Sequence, residues 1–334
     1  MRFITLEEHI SSPQIKELCR EYIDPSLSMR KLPEALVPGY DKLREDARLA
    51  DLDYRLAYME KNGVDVQVLS YANSMPTELP ADKAVEFYRM CNDEIRKLMD
   101  LYPGKFEGFA ILPLQSPEAA AEELERCVVE LGFKGAMMDS CFNGHFYDEP
   151  CFLPVFAKAA ELDVPLSLHP SFVDEKVTDY YYRSPNWGDG VTGALASAGF
   201  GWHLDVGMQL LKLVLSGIFD KYPNLKLITG HWGEVVVYYI ERLNQIMSCD
   251  KTGLKKPLID YYRENIYYTP GGMLSEAQME YVIKMFGVDH ILFALDYPYV
   301  AVEDGIRFIE ESKLSDEDKE KIAHGNAERL LKIK

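Results

Sequence analysis

No run of roughly 18 apolar residues occurs in the chain, so no segment reads as a membrane-spanning helix. An apolar signal core is missing too, because Glu7 and Glu8 interrupt the opening residues almost at once. The six cysteines (Cys19, Cys91, Cys127, Cys141, Cys151, Cys249) form no CxxC pair and no dense framework. That excludes a disulfide-stapled domain and leaves small, buried, reduced thiols in a cytoplasmic protein as the expectation. Basic charge is scarce: 36 Lys and Arg stand against 54 Asp and Glu, a formal net charge of −18. Nucleic acid and an anionic membrane are therefore poor partners, although a bound metal or one placed arginine can reverse the sign locally.

What the chain does have is core-forming material, 47% hydrophobic and 12% aromatic over 334 residues. Short apolar runs alternate with amphipathic stretches. The runs are Phe3 to Leu6, Val64 to Tyr71, Phe106 to Leu112, Phe133 to Met138, Val164 to Leu168, Leu225 to Thr229, Asn265 to Thr269 and His290 to Leu295. Their length and β-branched content fit buried parallel strands. Between them, stretches such as 82–102, 116–131, 152–162, 206–222, 235–246 and 275–286 carry helical spacing, and 315–334 reads as a terminal helix. Ser116-Pro117-Glu118 has the form of a helix start, a capping serine before proline. Eight strands alternating with helices suggest one (β/α)8 barrel spanning 1–334, an α/β fold. An open doubly wound sheet would alternate in much the same way. Two stretches are too long for simple connections: 22–46 after the first strand and 171–205 after the fifth, the latter holding Tyr180, Tyr181, Tyr182 and Trp187. Such insertions wall a pocket or make a subunit contact.

Polar residues follow several runs directly. Glu7 and His9 close the first, and side chains two apart on an extended backbone share a face, so they converge while Glu8 turns away. His169 ends the fifth run, His231 the sixth and Asp296 the eighth. In a barrel these ends meet at one rim. Glu7, His9, His169 and Asp296 would then offer two imidazole nitrogens and two carboxylates to one divalent cation, with Zn2+ and Mn2+ both compatible. A lone histidine after a strand is more often structural, and a lone aspartate is commonly a helix cap. Four together at strand ends are harder to set aside. His145 reads as a surface loop residue, and His203, His290 and His324 as structural or exposed.

At these residues the chain resembles the amidohydrolase superfamily, in its branch of metal-dependent decarboxylases of aromatic and related unsaturated acids. The resemblance runs from Leu6-Glu7-Glu8-His9 through 164–170 and 228–234 to 293–299, and is nearest the γ-resorcylate (2,6-dihydroxybenzoate) decarboxylases. It implies Glu7, His9, His169 and Asp296 as ligands of one metal ion, and His231 with Glu234 as catalytic histidine and partner acid. It also puts Arg242 at a position where such decarboxylases carry an arginine, a solvated helix residue being the alternative. Glu7-x-His9 replaces the His-x-His usual in the superfamily, and no lysine stands at Met138-Asp139-Ser140, so a carbamylated-lysine bridge between two metals is not supported. The implied reaction is non-oxidative decarboxylation of a hydroxybenzoate-type acid, with Asp296 protonating the ring carbon and His231, in a neutral form, hydrogen-bonding the substrate. The implied partners are a small aromatic carboxylate and further copies of the chain, as a homodimer or homotetramer. A metal-dependent hydrolase of a lactone or amide on the same scaffold is the competing reading.

Overall fold

The computed structural model describes residues 1–334 apart from 23–47, 72–78, 141, 143 and 301–302, and apart from the side chains of 16, 19 and 21. The expected insertion at 22–46 therefore lies outside the described residues except for Tyr22, and Cys141 and the Cys19 thiol lie outside them as well.

Seven strands are regular: β1 (Ile4–His9), β2 (Val66–Ser70), β3 (Phe106–Gly108), β4 (Ala136–Asp139), β5 (Leu166–His169), β6 (Leu227–Thr229) and β7 (Ile266–Tyr268). They pair in sequence order and in parallel, β1-β2-β3 and β4-β5-β6-β7. An isolated parallel bridge, Ala110 with Ala136, joins the two groups. Residues 291–295 complete the ring by bridges from Ile291 to Tyr268 and from Ala294 to Leu6. The result is a closed (β/α)8 barrel, which decides against the open sheet. The eighth run lacks a regular ladder for a local reason. β1 shifts register between Thr5 and Glu8, and the Glu8 carboxylate, rather than a main-chain carbonyl, accepts from Leu295 N at 3.1 Å.

Alternation along the strands separates two cores. Ile4, Leu6, Val66, Val68, Phe109, Met137, Ile228, Leu292 and Ala294 fill the barrel axis, closed below by Ala327 and Leu331 from the C-terminal segment. The opposite faces meet the surrounding helices. Those helices fall close to the expected stretches: Ala81–Leu101, Pro117–Val129, Leu153–Leu162, Gly201–Leu215, Ile240–Ile246 and Glu276–Phe286. Ser275 caps the last of them by accepting from Gln278 N, whereas Ser116 occupies its cap position without a side-chain hydrogen bond. The C-terminal stretch is three consecutive short helical pieces, 316–320, 321–325 and 326–331, rather than one helix. Phe109 is fully buried in the axis, so Phe109→Ala is expected to lower the unfolding free energy by about 3–5 kcal/mol. Chemical denaturation measures this, and a loss under about 1 kcal/mol would mean that another side chain fills the axis.

The 171–205 stretch has structure of its own. Short helical segments (Glu175–Val177, Thr178–Tyr182, Asp189–Ala196) enclose a small core of Val173, Tyr182 and Ala196, with Leu195 and Trp202 packed against it. Tyr180 and Tyr181 stand 81% and 70% exposed, so in a single chain they do not flank a buried pocket.

Candidate active site

The polar residues at the strand ends meet at one rim. His9 closes β1, His169 closes β5 and Asp296 follows the 291–295 segment, and one ligand atom from each lies within 4.8 Å of the others. His9 Nε2 stands 3.3 Å from Asp296 Oδ1, and the His9 and His169 rings lie 4.8 Å apart, edge to face. The other side of each imidazole is held from behind. Ser70 Oγ, at the end of β2, is 3.3 Å from His9 Nδ1, and Asp139 Oδ1, at the end of β4, is 3.6 Å from His169 Nδ1.

Glu7 stands beside this trio rather than inside the closest grouping. Its Oε2 accepts from Thr269 Oγ1 at 3.0 Å, and its charge acts on His9, His169 and His231. Simple strand alternation does not put it there: the register shift and a left-handed backbone at Glu7 (φ 66°) do. Gly230 makes room, since a Cβ at that position would sit 2.9 Å from Glu7 Oε1. Glu8 does turn away, into a buried network with Gln67, Arg55 and Leu295 N, where burial pushes its carboxyl up to about 8 against Leu295 N and Arg55.

Glu7 Oε1, His9 Nε2, Asp296 Oδ1 and Asp139 Oδ1 at the rim have no hydrogen-bond partner although buried. An unmet buried polar atom costs about 1–3 kcal/mol, and His9 Nε2 with Asp296 Oδ1, 3.3 Å apart, suits a cation that both would coordinate. The donor set, imidazole nitrogen with carboxylate oxygen, fits a divalent ion of borderline softness. Burial and the neighbouring His169 push His9 well below its ordinary range, the neutral form a metal needs. His169 is raised despite burial, by its contact with Asp139 and the charges of Glu7, Asp139 and Asp296. Burial lifts the Asp296 carboxyl to about 6, with His231 and His169 opposing.

Beside the trio lies a second group. Each oxygen of the fully buried Glu234 meets an imidazole: His231 Nδ1 at 2.7 Å from Oε1 and His203 Nδ1 at 2.7 Å from Oε2. Burial alone would depress His231, but the Glu234 carboxylate, with Glu7 and Asp296, lifts it to about 10. Burial would likewise raise Glu234, yet His231 and His203 hold it down at about 2. The Glu234 carboxylate, seated directly on His231 Nδ1, favours the protonated form of that imidazole. His203, expected as structural or exposed, is buried within the site.

Six non-glycine residues here have left-handed backbone: Glu7, His231, Trp232, Glu234, Val235 and Asp296. Each costs roughly 1–3 kcal/mol, a concentration of strain that the surrounding fold must hold in place. Arg242 is exposed, its guanidinium donating to Gln245, which is the solvated-helix alternative. His145 is exposed beside Glu149, His290 stacks on Tyr267, and His324 sits among Glu320 and Glu328. Among the described thiols only Cys91 and Cys127 are buried; Cys151 is exposed and Cys249 intermediate, a correction to the expectation for all six. Sequence reasoning missed Asp139, though it ends β4 as the other rim residues end their strands, and His203, for which no local signal exists.

The chain is similar to several known proteins along most of its length. The family model described as Amidohydrolase matches residues 35–333. "Decarboxylase orsB" of Emericella nidulans is 35% identical over 342 residues, covering 99% of this chain and 97% of that protein. A gamma-resorcylate decarboxylase of Polaromonas sp. is 33% identical, covering 89% and 92%. A crystal structure of 5-carboxyvanillate decarboxylase from Novosphingobium aromaticivorans, with manganese and 4-hydroxy-3-methoxy-5-nitrobenzoic acid, superposes with a TM-score of 0.89 at 29% identity, covering 99% and 96%.

Proposed function

The chain belongs to the amidohydrolase family, and from that premise we propose that it is a metal-dependent carboxy-lyase removing the carboxyl group of a hydroxybenzoate-type acid without oxidation. The observation that carries this is the buried trio of His9, His169 and Asp296, in which His9 Nε2 and Asp296 Oδ1 stand 3.3 Å apart with no hydrogen bond, and Glu7 beside them. In this reading His9, His169, Asp296 and Glu7 hold one divalent ion, Mn2+ as in the manganese-bound relative, with Zn2+ the alternative. When bound, such an ion supplies Lewis-acid stabilisation of phenolate charge and a hold on the substrate's carboxylate.

The rest of the chemistry falls to the chain. Direct loss of CO2 from a benzoate would leave an aryl carbanion too unstable to form. Asp296 instead delivers a proton to the ring carbon bearing the carboxylate, giving a dienone. The bond from that carbon to the carboxylate then breaks, CO2 leaves, and the electron pair restores the aromatic ring. One proton is consumed per turnover, so Asp296 must be reprotonated from solvent. Burial, which disfavours the charged carboxylate, suits the donor role. His231, oriented by Glu234, hydrogen-bonds the substrate's phenolic or carboxylate oxygen, and Glu234 keeps its Nδ1 proton in place.

The unit that does this is the whole chain, 1–334, since residues near its end plug the same barrel axis that β1 helps to build. Exposed Tyr180, Tyr181, Val191 and Tyr239 support association into a homodimer or homotetramer. Among the described residues no helix is long and apolar enough to cross a membrane, and the free thiols suit the reducing cytoplasm.

The test is chelation followed by reloading. Protein stripped of divalent ions should release no CO2 from 2,6-dihydroxybenzoate and its analogues, and Mn2+ should restore release with about one ion per chain. Full turnover by the stripped protein, or acid formation from lactones with no CO2 from any hydroxybenzoate, would remove the reading.

A further inference from the structure

We propose that His203 is a positioning residue of this reaction: from the 171–205 insertion it donates a hydrogen bond to Glu234 and so fixes the carboxylate that orients His231. The inference deepens the decarboxylase reading and rests on it for its kinetic arm. Its geometry is independent of that reading. Glu234 is wholly buried, with one imidazole Nδ1 at 2.7 Å from each of its oxygens. A carboxylate with a single partner can pivot about its last torsion, whereas two anchors on opposite oxygens define its plane. The plane of Glu234 in turn sets the direction of the His231 ring, 4.4 Å from the His203 ring centroid to centroid.

The tautomer follows from the neighbours. Indole N–H can only donate, and Trp202 Nε1 lies 3.1 Å from His203 Nε2. Nε2 is therefore the acceptor, which leaves the proton on Nδ1, where Glu234 needs it. The Ala198 carbonyl, also 3.1 Å from Nε2, finds a donor only if the ring takes a second proton.

The fold makes this contact by close approach. His203 lies on the helix Gly201–Leu215, and one turn further on is Gly207, where a Cβ would come within 2.4 Å of Glu234 O. Only glycine lets the helix reach the Glu234 backbone so closely. Trp202 packs against the insertion's own small core, which anchors the start of that helix. A role for the insertion follows that needs no contact with substrate: it brings a second imidazole to the catalytic pair.

His203, His231 and Glu234 also carry donor atoms of metal-binding type within 4.8 Å of one another. Both carboxylate oxygens and both Nδ1 atoms are already spent on each other, so a hydrogen-bonded bridge describes the group better than a second metal site.

The experiment compares His203→Leu with His203→Asn in manganese-loaded protein. Leucine should lower kcat about 10–100-fold, the range for an outer hydrogen-bond partner, with KM within about twofold and one metal ion per chain unchanged. Asparagine, whose amide N–H sits near the position of Nδ1, should restore most of kcat. Leucine at wild-type kcat, asparagine no better than leucine, metal lost with activity, or two ions per wild-type chain would each overturn the proposal. If the leucine variant does not fold, His203→Gln takes its place, being too long to donate in the same geometry. A second readout needs no turnover: nuclear magnetic resonance of 15N-histidine-labelled protein. Wild type should show two low-field Nδ1 protons, from His203 and His231, and the substitution should remove one and move the other. An unmoved His231 signal would overturn the proposal even if no hydroxybenzoate proved to be a substrate, and a moved one would sustain the orientation of His231 through Glu234 although the reaction assignment had failed.

Discussion

Replacing His169 by alanine should cost the protein its metal ion and its turnover together. The imidazole is buried, comes from the last residue of β5, and is one of only two in the trio. Without it the rim keeps His9, Asp296 and Glu7, one nitrogen and two carboxylates, with a gap where the second nitrogen stood. Loss of an outer partner of a metal ligand typically weakens binding about 10–100-fold, and loss of the ligand itself should exceed that. Turnover should fall by about 10^3-fold or more at moderate metal concentration, because several kcal/mol of charge stabilisation go with the ion. A further penalty is local. Asp139 Oδ1 already lacks a hydrogen bond and faces His169 Nδ1 at 3.6 Å, so alanine leaves that carboxylate without its imidazole. Elemental analysis beside a CO2-release assay, repeated at rising Mn2+, measures both effects. Full metal content with lost turnover would make His169 a substrate contact rather than a ligand.

Much of this rim could be read in the chain because a buried parallel strand leaves a clear signature. An apolar run stops, and the first polar residue after it stands at the barrel's open end. His169, His231 and Asp296 carry that signature, His9 stands two residues beyond the Glu7 that carries it, and the structure brings them to one rim. Glu7 was legible as a residue but not in its geometry, since a left-handed backbone and a register shift, not alternation, turn its carboxylate inward. The eighth run reads as a strand, yet its ladder is broken where the Glu8 side chain takes the place of a main-chain acceptor. Asp139 bore the same signature as its neighbours. His203 is a different case. It belongs to an insertion helix, 31 residues before its partner Glu234, and only the close packing of Gly207 against the Glu234 backbone joins them. No local spacing encodes a contact made by tertiary packing. Arg242 shows the reverse limit, since helical position alone did not tell an exposed side chain from one in the site.

Asp296→Asn separates holding the metal from moving the proton. The amide keeps the size of the carboxylate and one oxygen, so the ion should remain at reduced affinity and a substrate analogue such as a nitro-substituted phenol should still bind. What the amide lacks is a transferable proton. If Asp296 is the acid, kcat should drop by about 10^2–10^4-fold, the contribution usual for a placed general acid. Its surroundings suit the role: the side chain is buried at the rim, with Oδ1 3.3 Å from His9 Nε2. The same proton must travel in reverse. Incubated with the phenolic product in D2O and without CO2, the wild-type enzyme should exchange the ring hydrogen at the carbon that had carried the carboxylate, and the asparagine variant should not. Loss of decarboxylation with exchange intact would mean that another group protonates the ring and that Asp296 serves the metal alone. Loss of both, with metal still bound, would leave Asp296 as the proton's carrier in each direction.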